Sequence, residues 1–142
     1  MTEPLCTVDA NVLLRYLLGD VPHQQKVAEE MLDGINSGER PVLCDPCTLV
    51  ETVHVLKSYY SYPPETIAEL LIDILHAPGL LVSNKERYLR ALRLFATDAP
   101  HFGDACACAA AMEQTGGRLY SFDKKLSNVE GVTRLEQPIK AE

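Results

Sequence analysis

The stretch Leu5-Cys6-Thr7-Val8-Asp9-Ala10-Asn11-Val12-Leu13-Leu14-Arg15-Tyr16-Leu17 decides the fold. Its opening, Leu5 to Asp9, is apolar and too short for a surface helix, so it reads as a first strand. From Asn11 to Leu18 the apolar residues recur with helical spacing, and Gly19-Asp20 closes the run. A strand passing straight into a helix is the opening of an α/β unit. Asp9 stands at that junction, where a carboxylate is costly to desolvate unless a charged group or a metal ion accompanies it.

The same alternation continues outward. Pro22 opens a second helix towards Ser37, with Val27, Ala28, Met31, Leu32 and Ile35 on one face. Pro41 to Cys44 reads as a short strand, and Asp45-Pro46 has the chemistry of a helix start, predicting a helix from Cys47 to Tyr60. After the break at Tyr62-Pro63-Pro64, Glu65 to His76 is amphipathic, and Leu80 to Val82 is a third strand. Ser83-Asn84-Lys85-Glu86 matches a capping box and predicts a helix to Thr97. Ala105 to Thr115 is a helix of small residues ended by Gly116-Gly117, followed by strands at Arg118 to Ser121 and Val132 to Glu136. The expected class is α/β, a central, mostly parallel five-stranded sheet with helices on both faces, in one domain spanning residues 1–142.

The 142 residues carry a net charge of -7, which argues against coating nucleic acid through bulk positive charge. It leaves room for a basic rim around an acidic pocket. Met1-Thr2-Glu3-Pro4 lacks the features of a secretory signal, and no apolar run approaches the roughly 20 residues that span a bilayer. The five cysteines read as reduced thiols of a cytoplasmic protein. Cys44-Asp45-Pro46-Cys47 has the form of a redox or zinc motif, but no second Cys/His pair stands at zinc-like spacing.

Glu51, Asp104 and Asp123 sit in places as unexpected as that of Asp9. Asp9 and Asp123 each follow a strand, and sites in parallel sheets form beyond the carboxyl ends of strands. Glu51 interrupts the apolar segment Leu49 to Leu56, and Asp104 stands at a helix mouth. Each has a structural alternative. Asp104 and Asp123 suit helix caps or turns, and Glu51 suits solvent or an ion pair with Lys57 or a distant arginine. Taken together, oxygen donors of this kind suit Mg²⁺ or Mn²⁺ better than zinc. Glu51-Thr52-Val53-His54 has the spacing of a di-iron motif, yet it occurs once and amid strands, so His54 reads as a packed or surface histidine.

Val8 to Leu17, Leu49-Val50-Glu51-Thr52-Val53, Phe102-Gly103-Asp104-Ala105 and Tyr120-Ser121-Phe122-Asp123-Lys124-Lys125-Leu126 resemble, in this order, the PIN-domain ribonucleases. The likeness is nearest to the toxins of bacterial VapBC-type toxin–antitoxin pairs and runs from Leu5 to about Glu136. It implies a three-layer fold and a metal-dependent endoribonuclease whose Mg²⁺ or Mn²⁺ is held by Asp9, Glu51, Asp104 and Asp123. It also implies hydrogen-bond support from Asn11 and Ser121, while Asp98 is a nearby acid able to supplement or replace Asp104 in its role. Arg15, Lys124 and Lys125 are candidate phosphate contacts, or solvated surface charge. RNA is the implied substrate, a cognate antitoxin the implied partner, and a homodimer the implied assembly, to which Tyr59-Tyr60-Ser61-Tyr62 could contribute.

Two other readings fit the residues. A haloacid-dehalogenase-like phosphohydrolase would use Asp9 as nucleophile, although such enzymes generally carry a second aspartate where this chain has Asn11. A non-catalytic interaction module would use the acidic pocket to accept a partner's arginine.

Overall fold

Every strand is followed or preceded by a helix, in the order β1 (Cys6–Val8), α1 (Ala10–Leu18), α2 (Pro22–Met31), β2 (Val42–Cys44), α3 (Pro46–Ser58), α4 (Pro64–Leu75), β3 (Leu80–Leu81), α5 (Lys85–Ala96), α6 (Phe102–Gln114), β4 (Arg118–Tyr120) and β5 (Thr133–Leu135). The computed structural model describes residues 3–4 and 6–140, so the expected strand start at Leu5 lies outside the described residues. The chain divides into two compact units, Met1–Lys85 and Glu86–Glu142.

In the first unit β1, β2 and β3 form a parallel sheet in that order, with Val8 opposite Cys44 and Val42 opposite Leu80. Parallel neighbours need a crossover, and the paired helices α1–α2 and α3–α4 supply it. Helix α1 packs on α2 and α3, and α3 packs on α4. Leu13, Leu49, Leu56, Ile67, Leu71, Leu75 and Leu80 are fully buried. Local chemistry sets the helix ends. Asp45 caps α3 by accepting from the Cys47 amide at 2.8 Å, with Pro46 in the first turn. Gly19 ends α1 with φ 68°.

Helix α2 stops at Met31 rather than near Ser37. The chain then runs through turns in which the Ile35 amide donates to the Leu32 carbonyl and Gly34 takes φ 89°. Leu32 and Ile35 are buried from these turns, whereas Met31 is 59% exposed. Periodicity placed all three on one helical face, but the glycine lets the chain leave the helix without losing the two apolar anchors.

In the second unit β4 and β5 pair in parallel, with Leu119 opposite Arg134. Cys108, Leu126 and Val129 form a buried cluster against which Leu94, Met112, Leu119 and Val132 pack. Phe95 and Phe102 meet edge to face, 5.6 Å between centroids. Arg87 donates to both carboxylate oxygens of Glu113 at 3.0 Å, joining α5 to α6. This contact holds the Glu113 carboxyl below its usual range. Helix α5 begins at Lys85 after Asn84, whose φ is 59°, so Asn84 rather than a regular capping box shapes its entry.

Among the described residues the five strands and the α/β class are as expected, but the strands do not form one five-stranded sheet. The strands form a three-stranded and a two-stranded sheet. The strands of the first unit, two or three residues each, reveal themselves locally by their apolar character. Their partners are set by long-range ladders that such short runs do not encode.

Candidate functional site

Asp9 follows β1 directly and caps α1, its Oδ1 accepting from the Val12 amide at 3.1 Å. The junction predicted from sequence is thus a strand end whose carboxylate steadies a helix N-terminus, where the macrodipole favours negative charge. Val8 pairs with Cys44, so Asp9 and Asp45 each stand one residue past paired strand ends. Asp45, read from sequence only as a cap, shares the carboxyl edge with Asp9. The register that reveals this is invisible in a single sequence.

Glu51 is exposed on α3 and lines a hollow of about 500 Å³ with Ala10, Asn11, Leu14, Arg15, Val55 and Tyr60 among its walls. Sequence reasoning placed Asn11, Arg15 and Glu51 near one centre, and the first unit brings these three to one hollow. Arg15 has structural partners there. Its guanidinium donates to Asp20 at 2.7 Å and to the Tyr60 hydroxyl at 3.2 Å, and that hydroxyl donates to Asp20 at 3.0 Å. The Tyr60 hydroxyl is the main cause of Arg15's raised pKa, opposed by partial desolvation and reinforced by Asp20. Sequence reading missed this triad because its members are 5 and 45 residues from Arg15. Tyr60→Phe removes both hydroxyl bonds and should cost about 1 kcal/mol, lowering the melting temperature by a few degrees. An unchanged thermal transition would show that the triad contributes nothing to folding.

Asp104 lies in the first turn of α6 and is half-buried, not a cap, since the helix starts at Phe102 with His101 in the capping position. Its neighbour Cys108 has a raised pKa, mainly from burial and secondarily from Asp104. Asp98 is exposed beyond the end of α5, its amide donating to the Leu94 carbonyl. Asp123 caps a short 3₁₀ helix, Lys124–Asn128, by accepting from the Lys125 amide at 3.0 Å. Ser121 Oγ accepts from the Asp123 amide at 3.0 Å, bracing the backbone of Asp123. Lys124 and Lys125 are exposed.

Asp9 and Glu51 belong to the first unit and Asp104 and Asp123 to the second. Among the described residues no group of three or more His, Cys, Asp or Glu side chains is gathered closely enough to hold a metal ion. The donor chemistry nevertheless suits a hard cation, because the acids offer oxygen only. Burial, with Asp45 adding, pushes the Cys44 thiol up to about 11, and the Asp45 carboxylate raises Cys47. At neutral pH these thiols stay protonated and make poor soft-metal ligands or redox nucleophiles.

The chain thus carries parallel α/β units with acids at strand ends and helix starts. The PIN domain family matches residues 6–132, a span that crosses both units, and the chain belongs to that family. PIN domains are generally nucleases, which separates the chain from the phosphohydrolase reading. No curated protein matches the chain. No helix of the described residues is long and apolar enough to cross a membrane.

Proposed function

We propose that this protein is a divalent-metal-dependent endoribonuclease and the toxin of a toxin–antitoxin pair. Family membership across residues 6–132 is the observation that carries the reading. In it, Asp9, Glu51, Asp104 and Asp123 are the acids that hold Mg²⁺ or Mn²⁺. When bound, the cation lowers the pKa of water and offsets charge on the scissile phosphate.

The chain's own residues do the rest. Asp9 is oriented by the cap it makes to Val12, so its carboxylate is held at the end of β1 with little rotational freedom. Glu51 presents its carboxylate from an exposed helical face, and Ser121 fixes the backbone that carries Asp123. Asn11 stands beside Glu51 in the same hollow and is suited to orient substrate or carboxylate by hydrogen bonds. Lys124 and Lys125, exposed next to Asp123, are phosphate contacts. Arg15 acts chiefly through its structural triad. The protein works in the cytoplasm, is silenced by a cognate antitoxin, and self-associates as a homodimer, for which Tyr59, 79% exposed, is a candidate contact.

The test is cleavage of single-stranded and structured RNA by purified, antitoxin-free protein in Mn²⁺, Mg²⁺ or EDTA. Internal cuts in either metal, abolished by EDTA and restored by added metal, are expected. Cleavage that persists in EDTA removes the metal mechanism. Intact RNA under every condition removes the nuclease reading.

A further inference from the structure

Phe122 is 85% exposed, the highest exposure of any large hydrophobic residue described. The residues on either side of it are nonetheless held by hydrogen bonds. The Ser121 amide donates to the Leu135 carbonyl at 3.1 Å, and Arg134 donates to the Ser121 carbonyl at 2.9 Å. On the other side, the Asp123 amide is bonded to Ser121 Oγ and the Asp123 carboxylate to the Lys125 amide. Arg134 is itself fixed by Ser127 at 2.7 Å and Glu136 at 2.5 Å. A strapped turn therefore presents an apolar ring to water, where the ring adds nothing to the packing of the core.

The surroundings describe what the ring would meet. Tyr120, two residues earlier, is 60% exposed, and its hydroxyl accepts from the Ile139 amide at 2.7 Å. Tyr120 and Phe122, with Leu135 and Pro138, line a hollow of about 400 Å³, roomy enough for a planar heterocycle. Exposed Lys124 and Lys125 follow at once in the chain. An aromatic face with cations one and two residues beyond its neighbour is the arrangement that grips single-stranded nucleic acid, the base on the ring and the backbone on the cations. The paired lysines beside the ring favour a polyanion with stackable bases over an uncharged apolar partner.

We infer that Phe122 is a base-stacking residue that seats one unpaired nucleotide of the RNA next to Asp123, in the hollow it shares with Tyr120. The inference rests on the ribonuclease reading for its substrate, but binding and cleavage test the two separately. Stacking does not depend on the identity of the base, so this residue sets a requirement for an unpaired nucleotide rather than for a particular sequence.

The experiment uses the full chain, wild type, Phe122→Ala and Phe122→Tyr, each checked for unaltered circular dichroism. Affinity for a single-stranded oligoribonucleotide is measured by anisotropy in EDTA, and then with each position in turn replaced by an abasic nucleotide. Phe122→Ala should weaken binding roughly 5- to 150-fold, the range of one lost aromatic–base stack. Phe122→Tyr should restore it. One abasic position should cost the wild type the same factor and cost Phe122→Ala nothing further. Wild-type affinity in Phe122→Ala, or an additive abasic loss, overturns the proposal, as does a change confined to molecular mass by light scattering, which marks a protein contact. If stacking is found but no metal supports cleavage, Phe122 keeps its role and the nuclease reading falls.

Discussion

Asp9→Asn is expected to lower RNA cleavage by roughly 10²- to 10³-fold, the scale of losing one group that stabilises charge in a transition state. The substitution separates the two tasks of this side chain. As a cap, Asp9 accepts from the Val12 amide, and asparagine does so about equally well. As a charged oxygen donor, asparagine has no comparable strength. The variant should therefore melt close to the wild type while cutting far less RNA. Asp9→Ala loses both functions, and its further cost in stability is about 1 kcal/mol. Wild-type cleavage by a folded Asp9→Asn protein would reduce Asp9 to a capping residue and take the proposed mechanism with it.

The second large effect concerns stability. Gly116 and Gly117 both adopt left-handed backbone, at φ 61° and 83°. A Cβ on Gly116 meets nothing within 4 Å, whereas one on Gly117 would collide with the Gly131 carbonyl oxygen. That approach lies where the β4–β5 ladder begins, because the Thr133 amide donates to the Gly117 carbonyl at 2.8 Å. Gly116→Ala carries only conformational strain, about 1 kcal/mol. Gly117→Ala adds a backbone displacement, for a total of about 3 kcal/mol and a fall of roughly 10 °C in melting temperature. Equal melting temperatures for the two variants would show that the sheet can shift without cost.

Sequence reading succeeded where the physics is local. Asp45-Pro46 before α3, Gly19 after α1 and the Pro63-Pro64 break all act within one helical turn, so their effects are legible from a few residues. Reading failed where distant groups decide. The division of the strands into two sheets depends on ladders between segments tens of residues apart. The early start of α6 at Phe102 depends on burial of that ring, and it turns Asp104 from a cap into a first-turn residue. Asp9, Glu51, Asp104 and Asp123 were singled out by settings that look improbable in the sequence, although Asp9, Glu51 and Asp123 are exposed in the structure. The partners of Arg15 and the equivalence of Asp9 with Asp45 were not, since both arise from folding.

The pairing of Val8 with Cys44 carries one more implication. In an extended strand neighbouring side chains point to opposite faces, so a slip of one residue between β1 and β2 would expose Val8 and offset Asp9 from Asp45. Burial of two small apolar side chains thereby acts as the ruler for the acids beyond them. Errors in folding and errors in the charged edge become the same event.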